Sequence, residues 1–351
     1  MSSYDLLSKI CNFTSGHPVE GLFEPLAALR SVAHSRLWEL YWEAWHRVDE
    51  ASNRWLQQWH NLPPPAQARL TCAPEVFALL NGAGYGRRGY DLRLMASWIR
   101  AEMAAHSNTP QNTGWTALGD IENGEARGRF SSIGPLIDWQ SPAAVLPLNE
   151  IPGNAVQATK EQGITIEANI ETGLQLLAAT APTWGEAVHN FVAVVVARYD
   201  TQCHSVRSSS TRLAVGRIVV HNAHIAEVTP AILAEAILHE TVHTLLDLAE
   251  IACPLVEKDE HSIMTTSPWT GKPLDLNTFV HACFVWRSLF ELWVRLLAQG
   301  SVPPERAISR MATCARGFLE TPSPVDRLKG GVSSLVRDHI ASLTATVMEA
   351  L

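Results

Sequence analysis

Apolar and aromatic positions recur at helical spacing along most of the chain. From Glu24 to about His60, Leu29, Trp38, Leu40, Trp42 and Trp45 form a broad stripe that ends before Pro63-Pro64-Pro65, where fixed φ angles and missing amide donors stop a helix. The tryptophans sit at packing intervals and read as core. A second helical stretch covers roughly Pro74 to Ala105, and a polar segment punctuated by Gly114, Gly119, Gly124 and Gly128 then reads as loop. Beyond it the period changes. Short β-favourable runs (Ala144 to Leu148, Ile164 to Ile166, Arg217 to Val220) mix with helices around Thr172 to Ala179 and Trp184 to Val196.

From Pro230 onward the pattern is mainly helical. Thr229-Pro230 is a helix start, with threonine as cap and proline at the first helical position. On the helix that follows, Glu235, His239, His243 and Asp247 recur every four residues and line one polar stripe, while Ile232, Leu233, Ile237, Leu238, Leu245 and Leu248 belong to the buried faces. A very apolar helix runs from Phe279 to Leu297. Gly300 with Pro303-Pro304, then Pro322, Pro324 and Gly330-Gly331, divide the carboxyl-terminal third into three helices. The expected class is α+β and predominantly helical, with the His239 to His243 helix beside a small sheet. The expected division is a helical amino-terminal portion over 1–125 and a metal-binding portion over 126–351.

Composition narrows the function classes. With 18% charged and 46% apolar residues, the 351-residue chain is ordinary for a folded globular protein. Its formal charge of −8 disfavours a long phosphate-binding surface, so nucleic acid is not an expected partner. Four ionisable residues (His281, Arg287, Glu291, Arg295) interrupt the Phe279 to Leu297 helix, which argues against a membrane span. Six scattered cysteines without a CxxC pair read as free thiols, and the first residues do not resemble a signal peptide, so a cytoplasmic protein is expected.

The candidate chemistry lies in His239-Glu240-Thr241-Val242-His243. Two histidines one helical turn apart can hold one metal ion at about 2.0–2.2 Å from each nitrogen. A catalytic ion needs a third protein ligand and open positions. His281 is the preferred third ligand, because an unpaired imidazole in so apolar a helix would be costly. Glu257, Glu260 and His261 are the competitors, at places where a peptidase could supply a carboxylate. The bland alternative is a helix whose surface histidines pair with Glu235 and Asp247.

The stretch HETVHTLLDLAE followed by SPWTGKPLDLNTFVHACFVWRSLFELW resembles the HExxH-containing peptide-modification proteins encoded near ribosomal natural-product genes. The shared features are the HExxH helix, the Pro268-Trp269 segment, and a histidine, His281, opening an apolar-aromatic helix. The likeness covers roughly Thr172 to Leu297. It implies an iron(II) and 2-oxoglutarate-dependent dioxygenase that hydroxylates the β-carbon of an amino acid residue in a peptide, on a carrier or free, in natural-product biosynthesis. It also implies His239, His243 and His281 as iron ligands, Glu240 as a residue orienting a ligand or water, and Trp269, Lys272 and Arg287 as candidates for the 2-oxoglutarate side. The family shows arginine where this chain has Thr270 and Lys272, and lysine cannot form the bidentate fork of arginine. Two other readings stand beside it: a zinc metallopeptidase with Glu240 as general base, and a catalytically idle metal-binding or interaction protein.

Overall fold

The structure, a computed structural model, describes residues 2–46, 61, 129–139, 155–156, 158–212, 214–257, 263–328 and 331–351. It is α+β and predominantly helical, as expected. The chain forms two compact units that are interleaved in sequence. One comprises Met1–Leu26, Gly173–Val188 and Thr229–Leu351, and the other Ala27–Thr172 and His189–Val228. The helix expected over Pro74 to Ala105, the loop to Gly128, the run Ala144 to Leu148, and the division at 125 lie outside the described residues.

The second unit holds a six-stranded sheet of β1 (Arg129–Phe130), β2 (Leu136–Asp138), β3 (Ala155–Val156), β4 (Val194–Asp200), β5 (Arg207–Ser209) and β6 (Arg217–His221). The order is β1-β2-β4-β6-β5, with β3 paired to β4. Strands β2, β4 and β6 are parallel, and the runs Val194–Ala197 and Ile218–Val220 are buried on both faces, as continuous apolar strands require. The register sets Arg198 and Arg207 on either side of His221. That imidazole is 2% exposed, and burial, then the Arg198 charge, push its pKa down to about 4.

Two sequence expectations change here. Ile164 to Ile166 is not a strand but part of helix α3 (Lys160–Thr180), in which Ile166, Ile170, Leu174 and Leu177 are buried at helical spacing. Val194 to Val196 does not end a helix. Helix α4 (Pro182–Phe191) stops first, and the β-branched run joins the sheet because β2 and β6 offer it partners on both sides. Helix α2 (Phe23–His46) begins where the stripe from Glu24 predicts, and its continuation toward His60 lies outside the described residues.

The first unit is built from α1 (Ser3–Thr14), α5 (Pro230–Glu250), α6 (Leu276–Ala298), α7 (Pro304–Leu319), α8 (Pro324–Arg327) and α9 (Ser334–Glu349), with a hairpin of β7 (Met264–Thr266) and β8 (Pro273–Asp275). The central helix is α6: it touches α1, α5, α7 and α9, and Phe279, Phe284, Phe290 and Trp293 are wholly buried on it. Asp275 caps its start, Oδ1 accepting from the Thr278 amide at 2.8 Å. Helix α5 begins at Pro230 as expected, but the Thr229 side chain makes no cap hydrogen bond. Its start relies on the fixed φ of proline instead. No described helix is long and apolar enough to cross a membrane. The described cysteines (Cys11, Cys203, Cys253, Cys283, Cys314) are free thiols.

Candidate metal centre

Helix α5 carries the motif. Along it, Ile232, Glu235, His239, His243, Asp247 and Glu250 are the partly exposed positions from Ala231 to the helix end, and the residues between them are buried. The polar stripe read from the sequence is therefore real, and it extends one turn further than Asp247. Ile232 also falls on it rather than in the core.

Two clusters of possible metal-binding groups draw on this stripe, on the buried Glu240 beside it and on His281 of α6. In one, ligand atoms of His239, Glu240 and His243 lie within 4.8 Å of one another, and in the other so do those of Asp247, Glu250 and His281. The clusters meet where His243 Nδ1 and His281 Nδ1 stand 3.1 Å apart, with the rings stacked at 5.3 Å between centroids. Helix α6 packs on α5 and brings His281, 38 residues away in sequence, onto the turn that holds His243. The other nitrogen, His281 Nε2, is 3.1 Å from Glu250 Oε1. His239 is the more open member, its side chain about a third exposed, and its Nε2 is 3.8 Å from Oε1 of the buried Glu240.

Electrostatics separate the histidines. Burial, then the neighbouring His239 and His281, hold His243 well below the ordinary imidazole range, so it is neutral near neutral pH. For His281 burial is the largest single influence and acts downward, but the Glu250 hydrogen bond and the charges of Asp247, Glu250 and Asp275 together outweigh it and raise the pKa. A neutral imidazole is a metal ligand as it stands, whereas a protonated one must first release a proton.

The three imidazoles do not form one group: His239 falls with Glu240 and His243, His281 falls with Asp247 and Glu250, and the contact of His243 with His281 links the two. Two nitrogens bound to one ion at about 2.0–2.2 Å, at tetrahedral or octahedral angles, stand about 2.8–3.6 Å apart. The 3.1 Å between His243 and His281 falls within that range. The pairing of the motif histidines with Glu235 and Asp247 does not describe Glu235, which is committed elsewhere. It accepts from Trp293 Nε1 at 2.6 Å and forms an ion pair with Arg310.

The remaining sequence candidates are dispersed. Glu257 is exposed beyond the end of α5, its amide bonded to Gly331 O, while Glu260 and His261 lie outside the described residues. Lys272 is exposed in the turn between β7 and β8. Trp269 is 3% exposed and stacks on Trp286 at 5.7 Å, sets its edge against Phe318, and donates its indole N–H to Cys314 O at 2.8 Å. Helix α7 needs Gly317 there, because a Cβ would stand 2.2 Å from Trp269 Cε2. Arg287 is 3% exposed and held by Glu291 Oε2 at 3.1 Å and Ser15 Oγ at 3.2 Å. Both aromatic ring and guanidinium thus serve the packing of α6 against α7 and α1.

Sequence reasoning passed over Glu250. The signal was present: it lies seven residues after His243, two turns along the same helical face. Asn277, which donates Nδ2 to Glu250 Oε2 at 3.4 Å, stands one turn before His281 on the same helix.

A comparison with known families finds no family model that matches the chain, and a search among curated proteins finds no match.

Proposed function

We propose that this chain is a metal-dependent oxygenase, with iron(II) held by His239, His243 and His281 and 2-oxoglutarate as cosubstrate. The observation that carries the metal site is the approach of His281 Nδ1 to His243 Nδ1 at 3.1 Å in a part-buried, stacked pair. The oxygenase assignment rests on the resemblance of HETVHTLLDLAE and the His281 helix to the peptide-modification proteins. When bound, iron(II) with 2-oxoglutarate and dioxygen supplies the oxidising chemistry for hydroxylation at a substrate Cβ.

The protein's own contribution is positional. His243 and His281 come from two packed helices, so their separation is fixed by the α5–α6 interface rather than by a loop. His239, partly open to solvent, marks the side from which substrate and cosubstrate arrive. Glu240, 2% exposed beside His239, orients that ring or a water. The substrate is a peptide, a carrier-bound amino acid or a free amino acid. Lys272, exposed on its turn, is better placed than the committed Arg287 to meet a small dicarboxylate as a point charge.

The nearness of Glu240 Oε1 to His239 Nε2 favours one alternative, a zinc peptidase in which Glu240 takes a proton from the attacking water. Anaerobic loading with iron(II) and 2-oxoglutarate, then oxygen, separates the two. The oxygenase gives the visible chelate band and forms succinate, with zinc inhibiting. Zinc-supported peptide cleavage that vanishes in Glu240→Gln, with no succinate under any iron condition, establishes the peptidase instead.

A further inference from the structure

His281 is 4% exposed and its ring has only two polar atoms, both engaged. Nδ1 faces His243 Nδ1 at 3.1 Å and Nε2 faces Glu250 Oε1 at 3.1 Å. A carboxylate only accepts hydrogen bonds, so the hydrogen in the second contact belongs to His281 Nε2. The lone pair of the neutral ring is then on Nδ1, directed to the His243 side. Glu250 is itself held, since its other oxygen accepts from Asn277 Nδ2 at 3.4 Å and the helix end of α5 fixes its backbone.

We infer that Glu250 is a positioning residue that makes His281 a metal ligand through Nδ1 and not through Nε2. The inference rests on the metal-centre reading above. Turning the ring over to offer Nε2 would leave the Glu250 carboxylate without its donor and place the Nδ1 hydrogen beside that carboxylate only if the ring also shifted within a packed helix interface. Glu250 is only partly exposed, so water does not fully replace a lost imidazole donor, and this favours the observed orientation of the ring. The anionic acceptor also makes the opposite nitrogen a stronger donor to an ion, as carboxylates behind metal-bound imidazoles do. The carboxylate is needed for charge as well as shape: Gln at 250 keeps an acceptor for Nε2–H but loses that electronic push.

The test uses zinc(II) as a diamagnetic probe on the full chain with ¹⁵N-labelled histidine. Long-range ¹H–¹⁵N spectra of the zinc-loaded protein, with His281 assigned by its loss in His281→Gln, should show zinc on Nδ1 and hydrogen on Nε2. Chelator competition should show zinc affinity reduced about 10-fold in Glu250→Gln and up to about 100-fold in Glu250→Leu. Zinc on His281 Nε2 in the unsubstituted protein, or wild-type affinity in Glu250→Leu, overturns the inference while leaving the metal centre standing. A second zinc equivalent that disappears in Glu250→Gln makes Glu250 a ligand and also overturns it. A protein that takes up neither zinc nor iron(II) overturns the metal reading and this one together. The spectrum of the unsubstituted protein decides the question even where Glu250→Leu does not fold.

Discussion

His281 Nδ1 stands 3.1 Å from His243 Nδ1, although the two residues belong to different helices and lie 38 positions apart. Neither is an isolated core histidine. One is driven neutral by burial and its neighbours and the other is kept proton-hungry by Glu250 and nearby acids, so the pair is electrostatically uneven before any ion is added.

If His281 is a ligand, as proposed, His281→Ala should lower affinity for zinc(II) or iron(II) by more than about 100-fold, more than the loss of a supporting group would. His239→Ala and His243→Ala should do the same with helix content unchanged. Glu257→Ala should bind metal as the unsubstituted protein does, because Glu257 is exposed past the end of α5. Metal analysis after dialysis reads all four, and full retention by His281→Ala would remove it from the site.

Metal affinity should fall with pH in a way that His281 dominates. Its folded pKa is raised, so below that value the apo protein holds a proton that the ion must displace, and affinity should weaken by about tenfold per pH unit there. His243, already neutral, adds nothing until much lower pH. Calorimetry in buffers of different ionisation enthalpy should find about half a proton released per ion bound at the raised pKa, rising toward about one below it. Uptake without proton release at that pH contradicts the scheme.

His221 should set part of the acid limb of stability. Its folded pKa is depressed to about 4 from an ordinary 6.5, so the folded state binds fewer protons than the unfolded chain. Its full contribution is present above about pH 6.5 and is lost as pH falls toward 4, by at most about 3 kcal/mol. In His221→Asn the urea midpoint should change less between those pH values than in the unsubstituted protein. Equal slopes would show that His221 is not the titrating group.

Trp269→Ala should destabilise by about 3–5 kcal/mol, because it empties a stack with Trp286 and Phe318 and removes the indole hydrogen bond to the Cys314 carbonyl. Gly317→Ala should cost about 1–3 kcal/mol for the opposite reason, a Cβ driven into the indole. Thermal unfolding measures both. If Trp269 belongs to the 2-oxoglutarate side, Trp269→Ala should instead raise the 2-oxoglutarate KM with little change in unfolding temperature.

Much of the first unit was legible in sequence because helix periodicity is a local property. The polar stripe of α5, the helix start at Pro230, the apolar helix around His281 and the proline- and glycine-bounded carboxyl-terminal helices follow from spacing and turn chemistry within a few residues. The strand Arg217–His221 was readable in the same way. Local pattern misled at Ile164–Ile166, where a β-branched triplet sits inside α3, and at Val194–Val196, where sheet partners claim residues that could have extended a helix. Which histidine meets His243, and which acid then stands behind it, is decided by the packing of α6 on α5. Glu250 and His281 share no period with each other in the sequence. Only burial of the apolar faces of both helices puts Nε2 against a carboxylate and Nδ1 against the motif, because side chains from separate elements converge through the core that the elements share.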